Sequence, residues 1–290
     1  PSTPDLPTHR ATMSYPPTRP VAVLGATGLV GQLLVARLAD HPWFRLDAVL
    51  ASPRSAGRPY GQAAPWALAG PVPAAAAALP VEAATPAAMA DLAHRGIRVV
   101  LSALDASVAG PLETAAAEAG LLVVSNAAPH RLGEDVPLVV PEVNPDHLAL
   151  IDRQPWSGAL VTNPNCSTIG LVLALAPLAR RFGLERVELV SLQARSGAGL
   201  TGGARLDLVD DVVPHIPREE EKLALETPKL LGRLTGTGGE LRIEPADLPV
   251  LFEHQRDAEA QRQVAFLGRD PEDRAAHDGT YQEDFWTPGS

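Results

Sequence analysis

Apolar and polar positions along the chain alternate between short apolar runs and longer mixed stretches. V-A-V-L (21–24) is an apolar strand followed by G-A-T-G-L-V-G, which turns into a helix over Gln32–Ala39. Leu46–Ala51 reads as a second strand and R-V-V-L-S (98–102) as a third. A helix near Gly110–Ala119 then leads into a fourth strand, L-L-V-V-S (121–125). Strands alternating with helices at this spacing predict a parallel, doubly wound sheet of the α/β class. Pro71–Ala90 is rich in Ala and Pro and carries no readable period.

The texture changes near Pro141. A short strand, A-L-V-T (159–162), runs into N-P-N-C-S-T and an apolar helix over Ile169–Ala179. R-V-E-L-V-S-L-Q (186–193) alternates like a strand, a Gly-rich turn follows, and Asp207–Gly232 holds a charged helical stretch around R-E-E-E-K. A domain boundary near Asn165 divides a first part (20–165) from a second part (166–250). Residues 1–19 read as a disordered leader without the apolar core of a signal peptide. Residues 251–290 are charged and poor in Leu, Ile and Val, so they have little apolar surface to bury.

Charge and cysteine usage narrow the function. The formal net charge is -10, which argues against non-specific nucleic-acid binding, because phosphate neutralisation needs basic patches. No apolar run is long enough to span a bilayer. Cys166 is the one cysteine, so no intramolecular disulfide forms, as expected of a cytoplasmic protein. Nothing in the sequence calls for a metal.

Gly25, Gly28 and Gly31 follow a strand and open a helix, where bare backbone amides and the helix N-terminus can meet a dinucleotide phosphate. Gly25, Thr27, Gly28, Leu29 and Val30 are the expected cofactor-binding positions of that turn. The second strand ends without the acidic residue that holds a ribose 2′-hydroxyl. Instead S-P-R-S offers Ser52, Arg54 and Ser55 to a 2′-phosphate, which favours NADP over NAD. Cys166 stands at the mouth of a helix, and a helix N-terminus stabilises a thiolate, the form that acts as nucleophile.

Several motifs occur together: G-A-T-G-L-V-G, A-S-P-R-S-A-G, S-N-A-A-P-H-R, V-P-L-V-V-P-E-V-N, T-N-P-N-C-S-T, L-Q-A-R-S-G-A-G, and E-E-E-K with E-T-P-K-L-L-G. In this order over about 21–232 the chain resembles aspartate-semialdehyde dehydrogenases. The resemblance implies a Rossmann-like domain joined to an α+β catalytic and dimerisation domain, C-terminally incomplete here. It implies NADPH-dependent reduction of L-aspartyl 4-phosphate through a thioester on Cys166, a step towards lysine, threonine and methionine. Gln193 would orient the substrate, Arg131 and Lys222 would bind its phosphate, and Glu219 its amino group, with Asn165 beside them. A homodimer or homotetramer is the implied assembly.

The C-terminal part departs from the pattern. Where the family has an arginine for the substrate carboxylate and, seven residues on, an acid-base histidine, this chain reads D-L-P-V-L-F-E-H, with Asp247 and His254 in those places. The family's final helix is not legible, as after a frameshift or truncation near Glu240–Pro249. Two other readings therefore stand beside the first. One is an inactive or truncated paralogue that only binds nucleotide; the other is a related acyl-phosphate or acyl-CoA reductase.

Overall fold

The computed structural model describes residues 18–191, 193, 216 and 218–248. Its first strands are β1 (Arg19–Leu24), β2 (Phe44–Ala51) and β3 (Val81–Ala83), followed by β4 (Val99–Ser102), β5 (Leu122–Ser125) and β6 (Ala159–Thr162). They form one parallel sheet in the order β3-β2-β1-β4-β5-β6. This is the doubly wound α/β arrangement that the alternating pattern predicts.

The apolar strands are explained by burial on both sheet faces. Val21, Val23, Val49, Ala51 and Val81 face one way, against Val35 and Leu38 of α1 (Leu29–Leu38) and against Tyr60. Ala22, Leu24, Ala48, Leu50, Val100, Val123 and Leu160 face the other. There they meet Met89 and Leu92 of α4 (Pro86–His94) and Ala116 and Ala117 of α5 (Ala106–Glu118). Between them in the chain come two single-turn helices, α2 (Tyr60–Ala63) and α3 (Ala74–Ala77). A sheet covered on both sides selects continuous apolar runs over polar–apolar alternation.

Beyond β6, α6 (Cys166–Phe182) and α7 (Glu219–Leu231) pack on each other. Val172, Ala176 and Leu230 close with Leu138, Val140 and Val143 into a third apolar cluster. The 138–143 segment belongs to the V-P-L-V-V-P-E-V-N motif, and its backbone continues the sheet edge, Val139 N–H donating to Thr162 O at 2.8 Å. Asn144 ties this segment down: its amide donates to Leu138 O at 2.8 Å, and its Oδ1 accepts from Val140 N at 2.9 Å. A short antiparallel pair, β7 (Arg233–Thr235) and β8 (Arg242–Glu244), follows α7.

Pro71–Ala90, which carries no readable period, holds α3, β3 and the start of α4, whose Thr85 side chain caps the helix by accepting from Ala88 N at 3.2 Å. One expectation is corrected. Arg186–Ser191 is irregular, not a strand. Among the described residues no strand runs beside it, and alternation alone does not make a strand without a ladder partner. Residues 1–17, 192, 194–215, 217 and 249–290 lie outside the described residues. These include His254, the L-Q-A-R-S-G-A-G turn apart from Gln193, the leader up to residue 17 and the charged tail.

Candidate active site

In a parallel sheet all strands deliver their following loops to one edge, and the motif loops gather there. The turn after β1 needs glycine on steric grounds. Gly25 adopts φ +71°, and a Cβ there would lie 2.3 Å from Ala103 O. A Cβ on Gly31 would lie 2.1 Å from Gly25 O, so α1 can press against its own entry turn only with glycine at that position. Gly28, at the N-terminus of α1, is exposed, as is Val30; Thr27 and Leu29 are half-buried. The turn is held from behind by two side chains that the sequence reading did not single out. Tyr60 Oη donates to Ala26 O at 2.8 Å. Gln32 Nε2 donates to Thr27 O at 2.9 Å, and Gln32 Oε1 accepts from Ala67 N at 2.8 Å. Burial of the Tyr60 phenol pushes it well above its usual range, so it remains a donor.

On the adjacent strand β2, Ser52–Ser55 forms a turn closed by Ser55 N donating to Ser52 O at 3.0 Å. Arg54 is exposed, and its guanidinium has no protein partner among the described residues. An unpaired cation beside a glycine turn with exposed backbone fits a dinucleotide carrying a 2′-phosphate.

At the far strand of the same edge, Asn165 caps α6. Its Oδ1 accepts from Ser167 N at 2.8 Å, with Cys166 Sγ 3.8 Å away. Cys166 is the first residue of the helix and is exposed, where free N–H groups favour negative charge. Asn165 Nδ2 donates to Glu219 Oε2 at 3.2 Å, and Gln193 Nε2 donates to Glu219 Oε1 at 2.6 Å. Glu219 is buried at the first position of α7, where Glu219, Glu220 and Glu221 together complement the helix dipole. Lys222, one turn on, is half-buried, and its ammonium has no partner among the described residues.

Arg131 enters from the S-N-A-A-P-H-R loop after β5. It is buried, its Nη1 donating to Glu226 Oε1 at 2.9 Å and its Nη2 to Asn126 O at 2.8 Å. The structure thus brings Cys166, Asn165, Gln193, Glu219 and Arg131 into one hydrogen-bonded group, with Lys222 on the same helix. Asp247 is exposed beyond β8.

The E-T-P-K stretch of α7 supplies the main residues that the sequence reading left without a role. Glu226 is buried and also accepts from Asn165 N at 2.6 Å. Lys229 Nζ donates to three carbonyls of the arginine loop: Arg131 O and Gly133 O at 2.8 Å each, and Val136 O at 2.9 Å. Burial pushes this ammonium down to about 8. A second unassigned carboxylate, Glu113 of α5, is fully buried and accepts from Ser102 Oγ at 2.6 Å and Ser125 Oγ at 2.7 Å. It stiffens the ends of β4 and β5, from which the neighbouring loops depart.

Comparison with known proteins gives the same direction. Residues 20–151 match the family described as semialdehyde dehydrogenase, NAD binding domain. The aspartate-semialdehyde dehydrogenase of Archaeoglobus fulgidus is 45% identical over 234 residues, covering 79% of this chain and 65% of that protein. The malonyl CoA reductase (NADP) of Metallosphaera sedula is 38% identical over 221 residues, covering 75% of this chain and 60% of that protein. Among solved structures, the aspartate-semialdehyde dehydrogenase with NADP from Candida albicans superposes with a TM-score of 0.70 at 38% identity, covering 81% of this chain and 64% of that one. The chain therefore spans less than two thirds of the length of these relatives.

Proposed function

We propose that this chain carries the machinery for NADPH-dependent reduction of L-aspartyl 4-phosphate to aspartate semialdehyde, a reading supported by the match of residues 20–151 to the semialdehyde dehydrogenase NAD binding domain and by the likeness to aspartate-semialdehyde dehydrogenases. The observation that carries the reading is the exposed Cys166 at the start of α6, hydrogen-bonded through its cap to Glu219 and Gln193. In this reading 20–165 is the nucleotide-binding domain and 166–250 part of a catalytic and dimerisation domain, in a homodimer or homotetramer.

Cys166 attacks the acyl carbon as its thiolate, from the exposed first position of α6. Phosphate leaves as the thioester forms. Lys222 offers the phosphate a cation unpaired among the described residues, and Arg131 offers N–H groups beyond those engaged by Glu226 and Asn126. Glu219 pairs with the substrate ammonium, and Gln193, bonded to it, fixes the acyl group beside Cys166. Arg54, Ser52 and Ser55 would hold the 2′-phosphate of NADPH and the Gly25–Val30 turn its diphosphate; when bound, the cofactor would supply the hydride that reduces the thioester, and cleavage of the C–S bond would release the aldehyde and free Cys166. His254, outside the described residues, is the proposed acid-base.

The test is a spectrophotometric assay of the purified chain with aspartate semialdehyde, inorganic phosphate and NADP. Phosphate-dependent formation of NADPH is expected. Its absence, with nucleotide still bound, favours a paralogue that retains only the nucleotide site. A second reading, acyl-CoA reduction, is motivated by the likeness to the Metallosphaera protein. Glu219 argues against it, since an acyl-CoA such as malonyl-CoA presents no ammonium to a buried carboxylate.

Nucleotide choice gives a separate prediction. Replacing Arg54 with alanine should narrow the preference for NADPH over NADH by about 1–3 kcal/mol, the scale of a charge-assisted hydrogen bond. Titration of both nucleotides into both proteins measures this. Equal affinities in the unmodified chain would remove the 2′-phosphate assignment.

A further inference from the structure

Glu226 makes one connection that the reaction scheme does not use. Its carboxylate reaches two segments far apart in sequence: Oε1 accepts from the Arg131 guanidinium at 2.9 Å and Oε2 from the Asn165 amide at 2.6 Å. Both side chains of the ion pair are removed from water, at 9% and 4% exposure. Arg131 is further fixed by Asn126 O, while its Nε is buried without a partner.

We propose that Glu226 is a positioning residue that bridges Arg131 to the amide opening the Cys166 helix, and so fixes the arginine and sets the charge that the thiol experiences. This rests on the reading of Cys166 as nucleophile. Two donors converge on Glu226 from different directions, and only a group with two acceptor oxygens satisfies both. Glutamine has the same shape but one acceptor. Whichever way its amide is turned, its NH2 group faces an N–H.

The charge balance follows from the same geometry. Four charged groups lie around the turn: Glu219 bonded to the Asn165 side chain, Glu226 bonded to its amide, Arg131 paired with Glu226, and Lys229 on the arginine's carbonyl. Lys222 flanks them on α7. The Arg131–Glu226 pair cancels internally. Removing either member leaves the other as a buried, uncompensated charge near Cys166.

The experiment is the rate of iodoacetamide alkylation of Cys166 at neutral pH in the full chain, for the unmodified protein, Glu226→Gln, Arg131→Met and the double variant. The arginine left in Glu226→Gln favours the thiolate and should raise the rate roughly tenfold; the carboxylate left in Arg131→Met should lower it by a similar factor. The double variant, with neither charge and with the glutamine oxygen free to accept from Asn165, should return to within about twofold of the unmodified rate. A residue with only a structural role would not give opposite changes that cancel. Should Glu226→Gln fail to fold by circular dichroism, Arg131→Met and the double variant still decide the matter. Unchanged rates, changes of the same sign, or a double variant no nearer the unmodified protein than Arg131→Met would overturn the proposal. Repeating the measurement with inorganic phosphate separates it from the functional reading. Loss of protection by phosphate in the unmodified protein counts against the phosphate site, whereas the order of the four rates judges Glu226 alone.

Discussion

Cys166→Ala is expected to abolish phosphate-dependent NADPH formation, lowering turnover by on the order of 10^4 or more, because removing a covalent nucleophile removes the pathway itself. The chain has no second cysteine to substitute, and the side chains bonded to the Asn165 cap, Gln193 and Glu219, are an amide and a carboxylate already committed to each other. Stability should be nearly untouched. Cys166 is exposed, and the cap of α6 is made by Asn165, so alanine should shift unfolding by less than about 0.5 kcal/mol. The assay of activity alongside thermal unfolding separates the two effects. A folded alanine variant that turns over at the unmodified rate would remove the thioester mechanism.

The second large effect concerns the fold. Lys229→Met keeps the length of the side chain but withdraws the donor shared by Arg131 O, Gly133 O and Val136 O. Each buried carbonyl left without a donor costs about 1–3 kcal/mol. Against this, the variant escapes the burial of an ammonium. We expect the carbonyls to prevail, with a net loss of about 2–4 kcal/mol in denaturant unfolding at neutral pH. The pH dependence carries a second signature. The ammonium sits at about 8 in the folded protein against an ordinary 10.5, so between those values the unfolded chain binds more protons. The cost of burying the charge is fully present below about 8 and is relieved as the pH rises towards 10.5, a gain of about 3 kcal/mol by linkage. Methionine has no proton to lose, so the gap between the two proteins should widen over that range. A gap that stays constant or narrows would show that the charged form is not strained by burial.

The parts of the fold with strong local signals were legible in the sequence. V-A-V-L is buried on both faces, and R-V-V-L-S and L-L-V-V-S bury one face fully and the other in part, as apolar runs in a covered parallel sheet do. The edge strand Val81–Ala83 is three residues long in an Ala-rich setting, too short to show a period. The helix after it carries a start signal that the reading of Pro71–Ala90 passed over, Thr85-Pro86, a cap followed by a first-turn proline. Arg186–Ser191 misleads because alternation describes a half-buried strand only if a neighbour supplies the ladder. At the site, the motifs named candidates that the structure brings together, Cys166, Gln193, Glu219 and Arg131, whereas the groups that hold them were not read from the sequence. Glu226 and Lys229 work through contacts 95 and 98 residues away along the chain. Glu113 left one trace, a lone charge on the face of α5 otherwise buried through Ala109, Ala116 and Ala117.

The strand order has a consequence for the chain as it leaves the ribosome. β1 is the first of the described strands in sequence yet central in the six-stranded sheet, between β2 and β4. Its neighbour β2 follows after Leu24 by one helix and can pair early, whereas β4 begins only at Val99. Until those residues emerge, the nascent half-sheet β3-β2-β1 presents the other edge of β1, with its unpaired amides and carbonyls, to whatever is nearby. The growing chain therefore passes through a stage in which its most buried strand is its most adhesive one, and translation speed across Ala84–Arg98 sets how long that stage lasts.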